Sequence, residues 1–83
     1  MLGSDIMKIF FYTGPQCSLC DLADIELKNT SSFNALEVEK VNIRESTDLY
    51  HLYGARIPVL KREDNNKEIG WPFSREDLEE FLQ

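Results

Sequence analysis

What most narrows the fold of this chain is an ordered run near its start. An apolar stretch, KIFFYTG (8–14), meets a Gly14-Pro15 break, then Cys17-x-x-Cys20, then an amphipathic stretch, SLCDLADIELKNTSS (18–32). KIFFYTG is β-branched and aromatic, short, and apolar on both sides, as a strand covered on both faces must be. Gly-Pro stops it. In the next segment Leu19, Cys20, Ala23 and Leu27 fall within about a third of a helical wheel, with Leu22 at its edge and Ile25 off it. Residues 18–32 are therefore predicted to be a helix burying that stripe, loosened at its end by Ser31, Ser32 and Asn34. Strand, turn and helix in this order open an α/β domain.

The remaining elements continue the pattern. ALEVEKVNI (35–43) alternates at Leu36 and Val38 and resumes at Val41 and Ile43, a second strand with a phase slip near Lys40. STDLYHLYG (46–54) reads as a short helix capped by Ser46 or Thr47 and stopped at Gly54, with Leu49, Leu52 and Tyr53 as its apolar side. IPVLKRE (57–63) and KEIGW (67–71) flank the turn-forming DNN and read as an antiparallel hairpin. Ser74 opens a last helix, REDLEEFLQ, with acidic residues in its first turn and Leu78, Phe81 and Leu82 on one face. The order is β-α-β-α-β-β-α, in which the first parallel pair takes a right-handed crossover. Residues 7–83 form one domain, and residues 1–6 are expected to be a disordered or vector-derived start.

Size and charge set limits on function. A domain of 83 residues has a modest core, and two cysteines three positions apart close too small a loop to be a useful staple. The net charge is −6 with no basic cluster, which argues against nucleic acid and anionic membrane surfaces as partners. The longest apolar run, IFFY (9–12), is far below the ~20 residues of a membrane span. The first residues lack the basic start and apolar core of a signal peptide. A cytoplasmic location is expected, where a CxxC stays reduced unless it cycles.

Position gives the two cysteines their chemical meaning. Cys17 falls where loop becomes helix, among free backbone N–H groups and at the positive end of the helix dipole. Both favour thiolate over thiol, so Cys17 is the expected attacking sulfur. Cys20 lies one turn further in on the same face and can resolve a mixed disulfide. Two other readings stand beside this one. A structural zinc takes four ligands, whereas the chain has two cysteines and His51, so no metal site is expected. Inert burial suits Cys20 but not Cys17 at the mouth of a Gly-Pro turn. Trp71 and Tyr12 are expected to pack in the core rather than touch substrate.

Three segments in order, QCSLC (16–20), RIPVL (56–60) and GWPF (70–73), make residues 7–83 resemble the small bacterial glutaredoxin-like proteins of the thioredoxin superfamily. That resemblance implies a thioredoxin-like, glutaredoxin-type α/β fold, with a four-stranded mixed sheet and helices on both faces. It implies that Pro58 is cis beside the cysteines and that the Ile57 backbone meets an incoming chain or glutathione. It also implies thiol–disulfide exchange, with Gln16, Ser18, Leu19, Arg56, Ile57 and Pro58 as substrate-binding residues around catalytic Cys17 and Cys20. The expected partner is a disulfide-containing protein or small thiol, with glutathione or a thioredoxin-type reductase resetting the pair. No tightly bound cofactor is expected, and the chain is expected to be a monomer. A different implied role is carriage of an iron–sulfur cluster through Cys17 and glutathione. The chain departs from typical glutaredoxins in having Ser18-Leu19 between the cysteines and Trp71-Pro72-Phe73 before the last helix. It also lacks Trp before the first cysteine, where thioredoxins have one, and any evident buried acid in KIFFYTG.

Overall fold

A computed structural model describes residues 6–83. Of the disordered start expected at residues 1–6, residues 1–5 lie outside the described residues, and Ile6 is exposed ahead of the first strand. The elements are β1 (Met7–Thr13), α1 (Ser18–Lys28), β2 (Leu36–Asn42), α2 (Thr47–Tyr53), β3 (Val59–Arg62), β4 (Glu68–Gly70) and α3 (Arg75–Phe81). Short 3-10 turns at Phe33–Ala35 and Ile43–Glu45 bracket β2. The sheet order is β2-β1-β3-β4. β1 runs parallel to β2, while β1–β3 and β3–β4 are antiparallel. This is the four-stranded mixed sheet of the thioredoxin-like fold.

Strand alternation divides the interior in two. On one face Ile9, Phe11 and Leu60 pack with Cys20, Ala23 and Leu27 of α1 and with Leu78 and Leu82 at α3. On the other, Tyr12 and Val59 pack with Ile43 and Tyr53, joined by Phe10, Val41 and Leu49. Successive β1 residues point to opposite faces, so helices cover both. Each fully buried side chain of this kind is worth about 1.5–3 kcal/mol relative to exposure. β2 is an edge strand with no buried residue. Its outward Glu37 and Glu39 lie 3.8 and 3.1 Å from Lys8 Nζ, and such charges discourage further strand pairing.

Helix ends explain where the structure departs from the sequence reading. α1 stops at Lys28, short of residue 32, because the Thr30 hydroxyl and N–H both turn back to the Leu27 carbonyl, at 2.7 and 3.1 Å. Leu19, Leu22 and Leu52 were expected on or at the edge of apolar stripes, yet all three are about half exposed or more. The sheet covers only the centre of each stripe. Gly54 follows α2 in right-handed helical geometry, φ −54°, not the left-handed stop. It is glycine for space: a Cβ there would sit 2.5 Å from the Tyr50 carbonyl oxygen. α3 begins as expected with a reciprocal cap, Asp77 N–H to Ser74 Oγ and Ser74 N–H to Asp77 Oδ2.

Two polar links close the fold. Arg62, only 7% exposed, donates to the carbonyls of Phe81 and Gln83 at 2.8 and 2.6 Å and forks onto Asp64. It thus satisfies carbonyls that the end of α3 leaves unpaired. Glu79 of α3 accepts from the N–H and hydroxyl of Ser31, both at 2.9 Å. The Ser31 N–H, then its hydroxyl, hold the Glu79 carboxyl below its ordinary value.

Arg62→Met keeps the apolar stem but strands those carbonyls, and should cost about 1–3 kcal/mol in chemical denaturation. A wild-type unfolding curve in that variant would remove the capping role. For Glu79 the folded-state pKa is depressed, so its contribution is present above the ordinary value of 4.5 and lost as pH falls through the lower folded-state value. Glu79→Gln should therefore be less stable than wild type at pH 7, and the gap should close on acidification below pH 4.5.

Candidate functional site: the Cys17–Cys20 turn

β1 ends at Thr13 and delivers the chain to Gly14-Pro15. Gln16 then adopts φ 54°, a left-handed conformation uncommon for a residue with a side chain. This turn aims the chain so that Cys17 is the N-cap of α1 in extended geometry. Its sulfur accepts the Cys20 N–H at 3.0 Å, while its carbonyl takes the N–H groups of Cys20 and Asp21. Cys17 is half-buried and reaches solvent. Cys20 is buried at 5% exposure among Ile9, Phe11, Ala23, Leu60 and Phe73. The two are joined as a disulfide, with Cα atoms 5.2 Å apart.

The asymmetry is chemical as well as steric. An N–H aimed at the Cys17 sulfur at a helix start stabilises negative charge there once the bond is reduced. Apolar surroundings do the opposite for Cys20. Among the described residues the only buried polar or charged ones are Thr30 and Arg62, so no buried carboxylate serves Cys20. No cluster of three metal-ligating side chains occurs among the described residues either.

The other expected site residues divide into three sets. Gln16, Ser18 and Leu19 are exposed around Cys17. Pro58 is buried after a cis peptide bond from Ile57. Ile57 lies against the turn, since a Cβ on Gly14 would come 3.0 Å from its Cδ1. The Ile57 N–H is taken by the Tyr53 carbonyl at 3.0 Å, and its carbonyl accepts no hydrogen bond among the described residues. Arg56 is exposed, with its guanidinium 3.2 Å from Glu68 and over the Tyr53 ring.

Glu68 and Tyr53 are the residues that reading the sequence missed. The Tyr53 hydroxyl donates to the second Glu68 oxygen at 2.5 Å, and the Tyr53 ring stacks on Tyr12 with centroids 4.4 Å apart. Burial, then the bond to Glu68, raises the Tyr53 pKa. These residues are dispersed over the chain and meet only through the β3–β4 pairing, so no local pattern announces them. A second cis bond precedes Pro72. Trp71 packs on the core and meets Phe73 edge-on at 5.1 Å. A cleft of about 540 Å³ between the hairpin and α3, lined by Arg62, Lys67, Ile69 and Phe81, includes neither cysteine. No helix among the described residues is long and apolar enough to cross a membrane.

Residues 8–83 match the family described as Glutaredoxin-like domain (DUF836). The X-ray structure of Northeast Structural Genomics target protein XcR50 from X. campestris is similar, at 31% identity and TM-score 0.77, over 89% of this chain and 93% of that one. The solution structure of Ne2328 from Nitrosomonas europaea aligns at 26% identity and TM-score 0.72, over 94% and 93%. A malarial protein shares the fold, at 14% identity and TM-score 0.65, over 93% and 92%. No curated protein matches the chain.

After reduction, iodoacetamide at neutral pH should alkylate Cys17 well before Cys20. In Cys20→Ser the remaining thiol should titrate below the ordinary value of about 8.5, followed by thiolate absorbance. Equal labelling of both cysteines, or an ordinary titration, would contradict the electrostatic role of the helix start.

Proposed function

Because the chain belongs to the glutaredoxin-like domain family, we propose that it is a thiol–disulfide oxidoreductase whose working pair is Cys17 and Cys20. The observation that carries this reading is the seat of Cys17: solvent-reaching, at the N-cap of α1, with the Cys20 N–H on its sulfur. The Cys17 thiolate attacks one sulfur of a substrate disulfide, forming a mixed disulfide and releasing the other sulfur as a thiolate. Cys20, deprotonated as it reacts, attacks the Cys17 sulfur, closes the Cys17–Cys20 disulfide and frees the reduced substrate. Two electrons pass from protein to substrate. Two thiols, from two glutathione molecules or from the dithiol of a reductase protein, reverse the sequence: they leave as a disulfide and the Cys17–Cys20 pair returns to two thiols.

Placement of the remaining residues supports this assignment. Gln16, Ser18 and Leu19 surround the attacking sulfur on exposed surface. The Ile57 carbonyl beside Pro58, which accepts no hydrogen bond among the described residues, offers an acceptor to an extended substrate backbone. Cys17 reaches solvent beside exposed Gln16, Ser18 and Leu19, which suits a polypeptide disulfide as substrate. A cytoplasmic, reducing compartment would keep such a pair cycling.

Cys17→Ser should abolish reduction of a generic disulfide, whereas Cys20→Ser should retain the first step and accumulate a mixed disulfide visible by mass spectrometry. Full activity in Cys17→Ser would end this assignment.

A further inference from the structure

Resting on the exchange reading above, we infer that Glu68 is a specificity-determining residue that turns the site away from disulfides carrying carboxylates. Arg56 is the cation contiguous with Ile57-Pro58, the segment that lies against the Gly14 turn. A substrate carboxylate docking there would seek this guanidinium, which presents a planar fork suited to carboxylates. The structure has already placed a carboxylate on it. Glu68 Oε1 accepts from Arg56 at 3.2 Å, and Glu68 Oε2 accepts from the Tyr53 hydroxyl.

Glu68 is held from two sides, so it does not leave Arg56 at little cost. Tyr53 is itself 5% exposed and is stacked on Tyr12 of β1. The Arg56 guanidinium lies 5.4 Å from the centre of the same ring, which adds an attraction of its own. Tyr12, Tyr53, Arg56 and Glu68 thus form one assembly on the α2 face of the sheet. Among the described cations, Lys61 stands opposite Glu68 in the β3–β4 register but forms no ion pair with it, Arg44 follows β2 on the far side of β1, and Arg62 and Lys67 lie toward the hairpin turn. Lys8, Lys28, Lys40 and Arg75 are each paired with a carboxylate elsewhere. The chain as a whole carries net charge −6, so nothing in the average field replaces the neutralised Arg56. Neutral disulfides and polypeptide disulfides without nearby carboxylates are the class this arrangement admits.

The test compares two probes in single-turnover oxidation of the reduced protein: glutathione disulfide, which bears carboxylates, and bis(2-hydroxyethyl) disulfide, which is neutral. Each reaction consumes the two thiols of Cys17 and Cys20 and releases two thiols from the probe. Glu68→Gln frees the Arg56 charge and should raise the glutathione disulfide rate about three- to fivefold, the scale of a partly exposed ion pair. The neutral probe should change by less than about twofold on the same scale. Arg56→Gln/Glu68→Gln restores local neutrality and should return the anionic rate to that of wild type. An unchanged anionic rate in Glu68→Gln, or equal changes for both probes, overturns the inference while leaving the exchange reading intact. So does a double variant far slower than wild type with the anionic probe, since Arg56 would then be serving it already. A wild-type protein inert toward both probes overturns the exchange reading, and this inference with it.

Discussion

Everything in this molecule is arranged around a strand that must be dry on both sides. β1 puts Ile9 and Phe11 on one face and Phe10 and Tyr12 on the other, and neither set can be left to water without a large loss. Covering the first set requires α1 and α3, and covering the second requires α2 with its preceding turn. Because α1 must begin at once after β1 to reach its side of the sheet, the Gly14-Pro15-Gln16 turn is short and places Cys17 at the helix start. The reactive position is thus a by-product of burial, with the chemistry added by one sulfur where the helix needs a cap.

The two apolar clusters then supply different halves of the site. The α1–α3 cluster seats Cys20 and withholds it from solvent, which makes the pair directional: one sulfur meets the outside and the other waits beneath. The α2 cluster holds no cysteine, but through Tyr53 it organises Glu68 and Arg56 at the approach to Pro58. On the function proposed above, reactivity would be set on one side of the sheet and charge selection on the other; Ile57 packs against both clusters.

Much of this was legible in the sequence, for identifiable reasons. Apolar runs, periodic stripes and turn signals located all seven strands and helices, since β1 and α3 bury enough apolar surface to leave clear patterns. The Ser74 cap, the DNN turn and the seat of Cys17 followed from local chemistry that tertiary packing did not override. The errors lie where a residue's partner is remote. Leu19, Leu22 and Leu52 fit a helical wheel but extend past the rim of what the sheet covers. The role of Arg62 leaves no local signal, because nothing adjacent in sequence reveals two carbonyls at the end of α3 that need its guanidinium. Glu68 and Tyr53 are fifteen positions apart and meet only once the hairpin is in place.

Gly54 carries an implication for how such a surface can diversify. With the Tyr50 carbonyl so close to where a side chain would begin, α2 hands the chain to Arg56-Ile57-Pro58 through a joint that tolerates no bulk. Ser18 and Leu19, exposed beside Cys17, meet no such steric limit. Position 54 behaves as a fixed pivot instead, and its tolerance to substitution is set by steric room rather than by anything it touches in a partner.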